Sequence, residues 1–266
     1  MAVSKATDLG KALCIITGAS KGFGRSLAKE ISGLLQPESV LVLVARSGNK
    51  LSELQTELDS LVAGKHLVIR CVIADLGLRE GVEQVMKSVR ELTAVDIDHL
   101  LLFNNAASLG DVSRYAQSFE NMEEVDSYLS FNVSSALCLT AGVLNAFPRR
   151  QGLRRFVVNI SSLCAVKPFP SWVLYCTGKA ARDMMFRVLA EEDPDLRVLS
   201  YAPGPLDTDM QLQARSSSAD SNLRQIFTVL HSEGQLLTCE QSISKLLKVL
   251  LEDEFSSGAH IDYYDL

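Results

Sequence analysis

Tyr175 and Lys179, four residues apart, and Ser162, thirteen residues before Tyr175, are side chains whose types and spacing suit proton chemistry. They fall in NISSLCAVKPFPSWVLYCTGKAARDM at 159–184, where Ser162 follows an apolar run and the Tyr/Lys pair opens a helical pattern. A four-residue step puts both groups on one helical face. Reducing a carbonyl needs hydride at carbon and a proton at oxygen, and a phenol of pKa about 10 exchanges its proton slowly near neutrality. Lys179, with the positive charge of an oxidised nicotinamide, is expected to stabilise the phenolate and lower the Tyr175 pKa. Ser162 would donate to the substrate oxygen. The long stem and several donors of Lys179 also suit it to ribose hydroxyls. A Tyr-x-x-x-Lys pair alone arises by chance in many amphipathic helices, so its weight depends on what surrounds it.

What surrounds it begins with TGASKGFG at 17–24, entered from the apolar run ALCIIT and followed by the amphipathic pattern of RSLAKEISGLL. Such a loop binds a dinucleotide through its glycines and the helix amides beyond. Gly18 and Gly22 allow a tight turn against a pyrophosphate, Gly24 allows close helix–strand packing, and Ala19, Ser20, Lys21 and Phe23 complete the contact set. A glycine cluster between strand and helix is otherwise an ordinary turn. The next strand ends in Ala45 followed by Arg46, where an NAD site usually presents an acid to the ribose 2′-hydroxyl. Arg46 and Lys21 together are expected to clamp a 2′-phosphate, which selects NADP(H); either alone reads as a solvated cation. Ala74 and Asp75 follow the third strand, with Asp75 either beside the adenine or capping a helix. Asn104 in NNAA at 104–107 either meets the cofactor or makes a structural hydrogen bond.

Positioning these groups requires elements that alternate. Short β-branched runs at 12–17, 40–45, 66–72, 99–103, 155–160 and 196–202 look like strands buried on both faces, and helical spacing fills the gaps between them. Parallel strands with right-handed helical crossovers follow, giving a doubly wound Rossmann-type α/β domain over 1–266. Strand character returns near AHIDYY at 259–264, so about 205–255 is expected to be helical and to cover the substrate over one end of the sheet. SSSADS at 216–221 is expected to be a mobile loop.

Composition bounds the function. The 266 residues are 47% hydrophobic and 22% charged, enough for a sizeable core. A net charge of −6 gives no footprint for nucleic acid or an anionic membrane. Cys14, Cys71, Cys138, Cys164, Cys176 and Cys239 lack paired spacing and are expected to be reduced core thiols. His66, His99, His231 and His260 show no ligand spacing, so no metal is expected. MAVSKATDLGK lacks a leader's apolar segment and no later stretch is expected to span a bilayer, which points to the cytosol.

TGASKGFG, NNAA, Ser162, YCTGK and YAPG at 201–204 stand in the order of the short-chain dehydrogenase/reductase family, which the sequence resembles over most of its length. The resemblance implies a Rossmann fold with a seven-stranded sheet, catalysis by Ser162, Tyr175 and Lys179, and a relay water held by Asn132 in FNVSSA. It implies that Leu206, Asp207, Thr208, Asp209, Met210 and Gln211 pass over the nicotinamide and its phosphates, a structural loop being the other reading. Leu163 and Gly204 would join Ser162 and Tyr175 around the substrate, and Trp172 would line that pocket or pack. Ala107 departs from the usual glycine of Asn-Asn-Ala-Gly, a tolerated methyl on the adenosine side.

Within the family, SSLCAVKPFPSWVLYCTGKAARDM at 161–184, YAPGPLDTDMQ at 201–211 and SGAHIDYYD at 257–265 resemble a branch that reduces side-chain carbonyls of pteridines as a cytosolic homodimer. That branch implies that Asp262 anchors the pterin, since a carboxylate accepts two parallel hydrogen bonds from an amino-pyrimidine edge. An aspartate there is otherwise solvated. A broader reductase of diketones or quinones is the alternative. A cofactor-binding regulator without catalysis is a third reading, opposed by the intact triad.

Overall fold

The apolar runs become parallel strands of one sheet in the computed structural model, which describes residues 7–266. The expectation of no leader rests partly on residues 1–6, which lie outside the described residues. The strands are β1 (Ala12–Thr17), β2 (Val40–Ala45), β3 (Val68–Ile73), β4 (His99–Asn104), β5 (Arg154–Ile160), β6 (Leu196–Ala202) and β7 (Ala259–Asp262). Their order is β3-β2-β1-β4-β5-β6-β7, with every neighbour parallel. Helices α1 (Gly22–Ser32), α2 (Gly48–Leu61), α3 (Arg79–Arg90), α4 (Met122–Leu129), α5 (Ser135–Ala146) and α6 (Val173–Glu192) occupy the crossovers. After β6 come α7 (Asp209–Ser217), α8 (Ser221–Ser232) and α9 (Cys239–Glu252).

The unbroken apolarity of β1 has a direct cause: alternate residues serve different cores. Ala12, Cys14 and Ile16 pack with Leu27 and Ile31 of α1 and Ile243 and Leu246 of α9. Leu13 and Ile15 pack with Val85 and Val89 of α3, Val143 of α5 and Phe186 of α6. Burying each Leu or Ile side chain contributes about 1.5–3 kcal/mol, so both faces resist a polar substitution. Strand order reverses between β1 and β4, which opens a crevice at the carboxyl ends of these strands.

Four sequence expectations change. β3 begins at Val68 rather than His66 and stands at the end of the strand order, an edge strand paired with β2, where Val68 and Ile73 are about half exposed. SSSADS is not a free loop: Ser216 and Ser217 end α7, Ser218 is buried, and the Asp220 carboxylate accepts from Leu223 N at 2.8 Å to cap α8. Of the helices in 205–255, α9 lies against α1 on a sheet face, leaving α7 and α8 beside the crevice. Finally, α4, a π turn at Ser130–Ser134 and α5 form a 25-residue helical run, Met122–Ala146, long and apolar enough by composition alone to cross a membrane, yet Ala136, Leu139 and Val143 of this run are buried in the core beneath the sheet. Its polar residues hid that length in the sequence. All six cysteines are free; Cys14, Cys164 and Cys239 are buried, while Cys138 is exposed.

Candidate active site

Chain geometry at the end of β1 follows from its glycines. Gly18 and Gly22 have φ of +69° and +53°, a region costly for side chains with a Cβ. A Cβ on Gly24 would stand 2.4 Å from Gly18 O, so α1 can cross the turn at this distance only with glycine there. Thr17 Oγ1 accepts from the amides of Asn105 and Ala106 at 3.0 and 2.9 Å, and Asn105 Nδ2 donates to Thr17 O at 2.8 Å. This tie holds the glycine loop against the segment after β4.

A cavity of about 710 Å³ runs from that loop to the start of α6. Gly18, Ser20, Lys21, Gly22, Phe23 and Gly24 line it at one end, Ala45, Arg46 and Ala74 at the side, and Tyr175 and Lys179 at the far end. Leu206, Asp207, Thr208, Asp209 and Met210 also face it. The first turn of α1 has no acidic residue, so its amides are open to an anion. Arg46 occupies the end of β2, where an acid would repel a phosphate; it lies 3.7 Å from Asp75 Oδ2. These residues fit a dinucleotide carrying a 2′-phosphate.

Other expected cofactor residues do not reach the cavity. Ala19 is fully buried, with its N–H on Val44 O. Asp75 Oδ1 accepts from Gly77 N at 2.9 Å, turning the chain after β3. Asn104 is buried and donates to Thr140 Oγ1 at 2.9 Å, the structural alternative. Gln211 is buried too, donating to Phe227 O at 3.1 Å and accepting from Arg215, which ties α7 to α8. The residues missed include Asn105, Ser108, Leu109 and Ser161; Asn105 stood beside Asn104 in NNAA.

Tyr175 and Lys179 are both buried on α6, with Nζ 5.5 Å from the Tyr175 ring centre. Lys179 Nζ donates to Ile160 O at 2.6 Å. Burial raises the Tyr175 pKa above the ordinary phenol value, only partly offset by a hydrogen bond with Ser162. In the protein alone burial thus dominates, with Ser162 and Arg182 as the opposing influences; the expected lowering also calls on the charge of an oxidised nicotinamide. Lys179 itself is pushed down to about 7, first by burial and then by Arg182. Ser162 is half-buried, and its Oγ accepts from Cys164 N at 3.2 Å.

Asn132 lies in the π turn, a feature frequent at functional sites. Its Oδ1 accepts from Ser108 N at 2.8 Å and its Nδ2 donates to Tyr128 O and Ser108 Oγ. Both amide hydrogens are thus used, fixing the Ser108 loop beside the cavity. Leu163 is partly exposed next to Ser162. Gly204 has φ +76°, and a Cβ there would meet Leu237 at 2.7 Å. Asp262 ends β7 opposite Ala202, where its Oδ1 accepts from Tyr264 N at 3.0 Å. Lys245 of α9 donates to Tyr263 O and Leu266 O, holding this segment in place. Trp172 is packed: it stacks on Phe227 and meets Tyr175 edge-on.

Known proteins share this fold and much of this sequence. The crystal structure of the KRED1-Pglu enzyme superimposes with a TM-score of 0.80 at 27% identity, covering 94% of this chain and 100% of that one. Sepiapterin reductase of Rattus norvegicus is 52% identical over 259 residues, 97% of this chain and 98% of the relative. That of Meriones unguiculatus is 54% identical over 258 residues, with the same coverage of 97% and 98%. The short chain dehydrogenase family model matches residues 12–219. With that match and relatives spanning nearly its whole length, this chain belongs to the short chain dehydrogenase family.

Proposed function

We propose that this chain reduces side-chain carbonyls of pteridines with NADPH, taking sepiapterin to dihydrobiopterin and 6-pyruvoyl-tetrahydropterin to tetrahydrobiopterin. The observation that carries the reading is identity of 52% and 54% to two sepiapterin reductases over 97% of the chain. Nothing in the site favours the broader diketone or quinone reductase.

NADPH, when bound, supplies the hydride. Arg46 and Lys21 hold its 2′-phosphate, and the amides that open α1 hold its pyrophosphate. Tyr175, kept protonated by burial, is the acid that gives its proton to the substrate oxygen. Ser162 donates to the same oxygen, stabilising charge as it develops. The phenolate left on Tyr175 is stabilised by Lys179, whose pKa of about 7 leaves a cationic fraction available near neutrality. Asn132 holds the Ser108 loop and keeps one Oδ1 lone pair for a relay water. Asp262 anchors the pterin edge, from a β7 end that Lys245 secures.

We place the reaction in tetrahydrobiopterin synthesis, in the cytoplasm, with the whole chain as one NADP-binding domain. Six free cysteines suit a reducing compartment. We also infer a homodimer. Leu137 on α5 and Met184 and Val188 on α6 are about half exposed, apolar surface that a second copy would cover. Mixing purified protein with NADPH and sepiapterin tests the central claim: the visible absorbance of sepiapterin should disappear, and no turnover would sink it.

A further inference from the structure

The stripe of α6 that carries Tyr175 and Lys179 continues one turn to Asp183, another four-residue step. Asp183 is 7% exposed, and its carboxylate is fully engaged. Oδ1 accepts from Ser161 Oγ at 2.5 Å and Asn159 Nδ2 at 2.9 Å, while Oδ2 faces His260 Nδ1 at 2.6 Å. Ser161 stands between Ile160, whose carbonyl takes the Lys179 proton donor, and Ser162. His260 lies on β7 two residues before Asp262. Arg182, 1% exposed, donates through Nε to Asn159 Oδ1 at 2.8 Å and through its terminal nitrogens to the carbonyls of Ala106 and Asn104. The proton transfer described above uses none of these three charged groups. Burying a carboxylate and a guanidinium costs several kcal/mol of desolvation, and packing a helix on a sheet requires neither.

We propose that Asp183, held by His260, is a positioning residue that places a carboxylate one helical turn beyond Lys179 and ties the pterin-anchoring end of β7 to the catalytic helix. It rests on the reductase reading for the roles of Lys179 and Asp262. Lys179 is faced by Tyr175, Arg182 and Asp183 of its own helix, by Cys164 of the turn after β5, and by the Ile160 carbonyl. His260 is faced by Asp183 across from β7 and by Asp262 and Asp265 on its own segment. Burial and Arg182 push the Lys179 ammonium toward its neutral form, and Asp183 opposes them. Because Lys179 and Asp183 share one helical stripe, the carboxylate's pull acts across a single turn. The β7 tie is mechanical: His260 and Asp262 share a strand face, so fixing one side chain fixes the direction of the other.

Asp183→Asn is the main test. The amide keeps an acceptor for Ser161 and Asn159 and removes the charge. The Lys179 midpoint, followed by NMR of the labelled side chain in ligand-free protein, should fall by about one pH unit or more. The alkaline limb of kcat/KM should move down with it, whereas a merely structural role would lower kcat without displacing the limb. An unmoved Lys179 midpoint overturns the proposal. This titration needs no turnover, so it is separable from failure of pteridine reduction. Asp183→Glu, which restores the charge, should restore the midpoint. His260→Ala, at a half-buried position, tests the tie even if the Asp183 variants do not fold. It should raise the KM for sepiapterin several-fold at unchanged NADPH Kd, and an unchanged KM overturns the tie.

Discussion

Lys21 Nζ and Asp209 Oδ2 stand 2.8 Å apart, an ion pair joining the glycine loop to the first turn of α7. Both side chains are largely exposed, so the pair adds little to stability. Its consequence is for the cofactor: Lys21 already has a carboxylate partner, while Arg46 has only a 3.7 Å approach to Asp75. Arg46 should therefore carry most of the 2′-phosphate recognition. Arg46→Ala is expected to raise the KM for NADPH roughly 10- to 100-fold, the scale of a lost charge-assisted hydrogen bond. Lys21→Ala should cost less. Steady-state kinetics with both cofactors decide it, since equal losses for NADPH and NADH would remove the phosphate from the explanation.

Tyr175→Phe leaves the buried ring and its edge contact with Trp172 but removes the acid. Reduction of sepiapterin should fall by about 10²- to 10⁴-fold, while NADPH binding, followed by cofactor fluorescence, should be nearly unchanged. Full activity in this variant would overturn Tyr175 as the proton donor.

How much of this was legible in the sequence depends on the residue. β1 and β2 were readable to their ends because burial on both faces writes a nearly unbroken apolar run, and β6 was readable despite Arg197 and Ser200. β3 has similar residues, yet Val68 and Ile73 are exposed; edge position is a property of the sheet, not of the run. The glycine loop and the Tyr175–Lys179 step were visible because each is local. Asn104 and Asn105 could not be told apart, since chain direction past the last residue of β4 decides which one meets the loop. The Asp183–His260 contact spans 77 positions and leaves no local pattern.

Lys179 makes stability and function oppose each other. Its folded pKa of about 7 lies below the ordinary 10.5, so between those values the unfolded chain binds more protons and stability rises with pH. The cost of burying the ammonium is full below about pH 7 and fades as pH approaches 10.5. Lys179→Met should therefore abolish reduction yet raise Tm near pH 7, by a gain that shrinks toward pH 10. Thermal melts across that range check the sign. A Tm gain that grew with pH would contradict it.

Trp172 pegs the α7–α8 segment to the catalytic helix. Its ring stacks on Phe227 of α8 at 5.4 Å and 6°, and meets Tyr175 at 5.6 Å and 90°. Its Nε1–H donates to Ser218 Oγ at 2.8 Å, and that hydroxyl in turn donates to Ala214 O at 2.7 Å. Ser218 is fully buried, so Ser218→Ala strands an indole donor away from water, at about 1–3 kcal/mol. A drop in Tm of several degrees follows. The sequence has one tryptophan, so emission reports this contact alone. The variant's emission should shift to the red as the α7–α8 junction loosens, and sepiapterin KM should rise more than kcat falls, because Tyr175 keeps its burial while the substrate cover does not. Unchanged emission and Tm would show that the Phe227 stack holds the segment without the hydrogen bond.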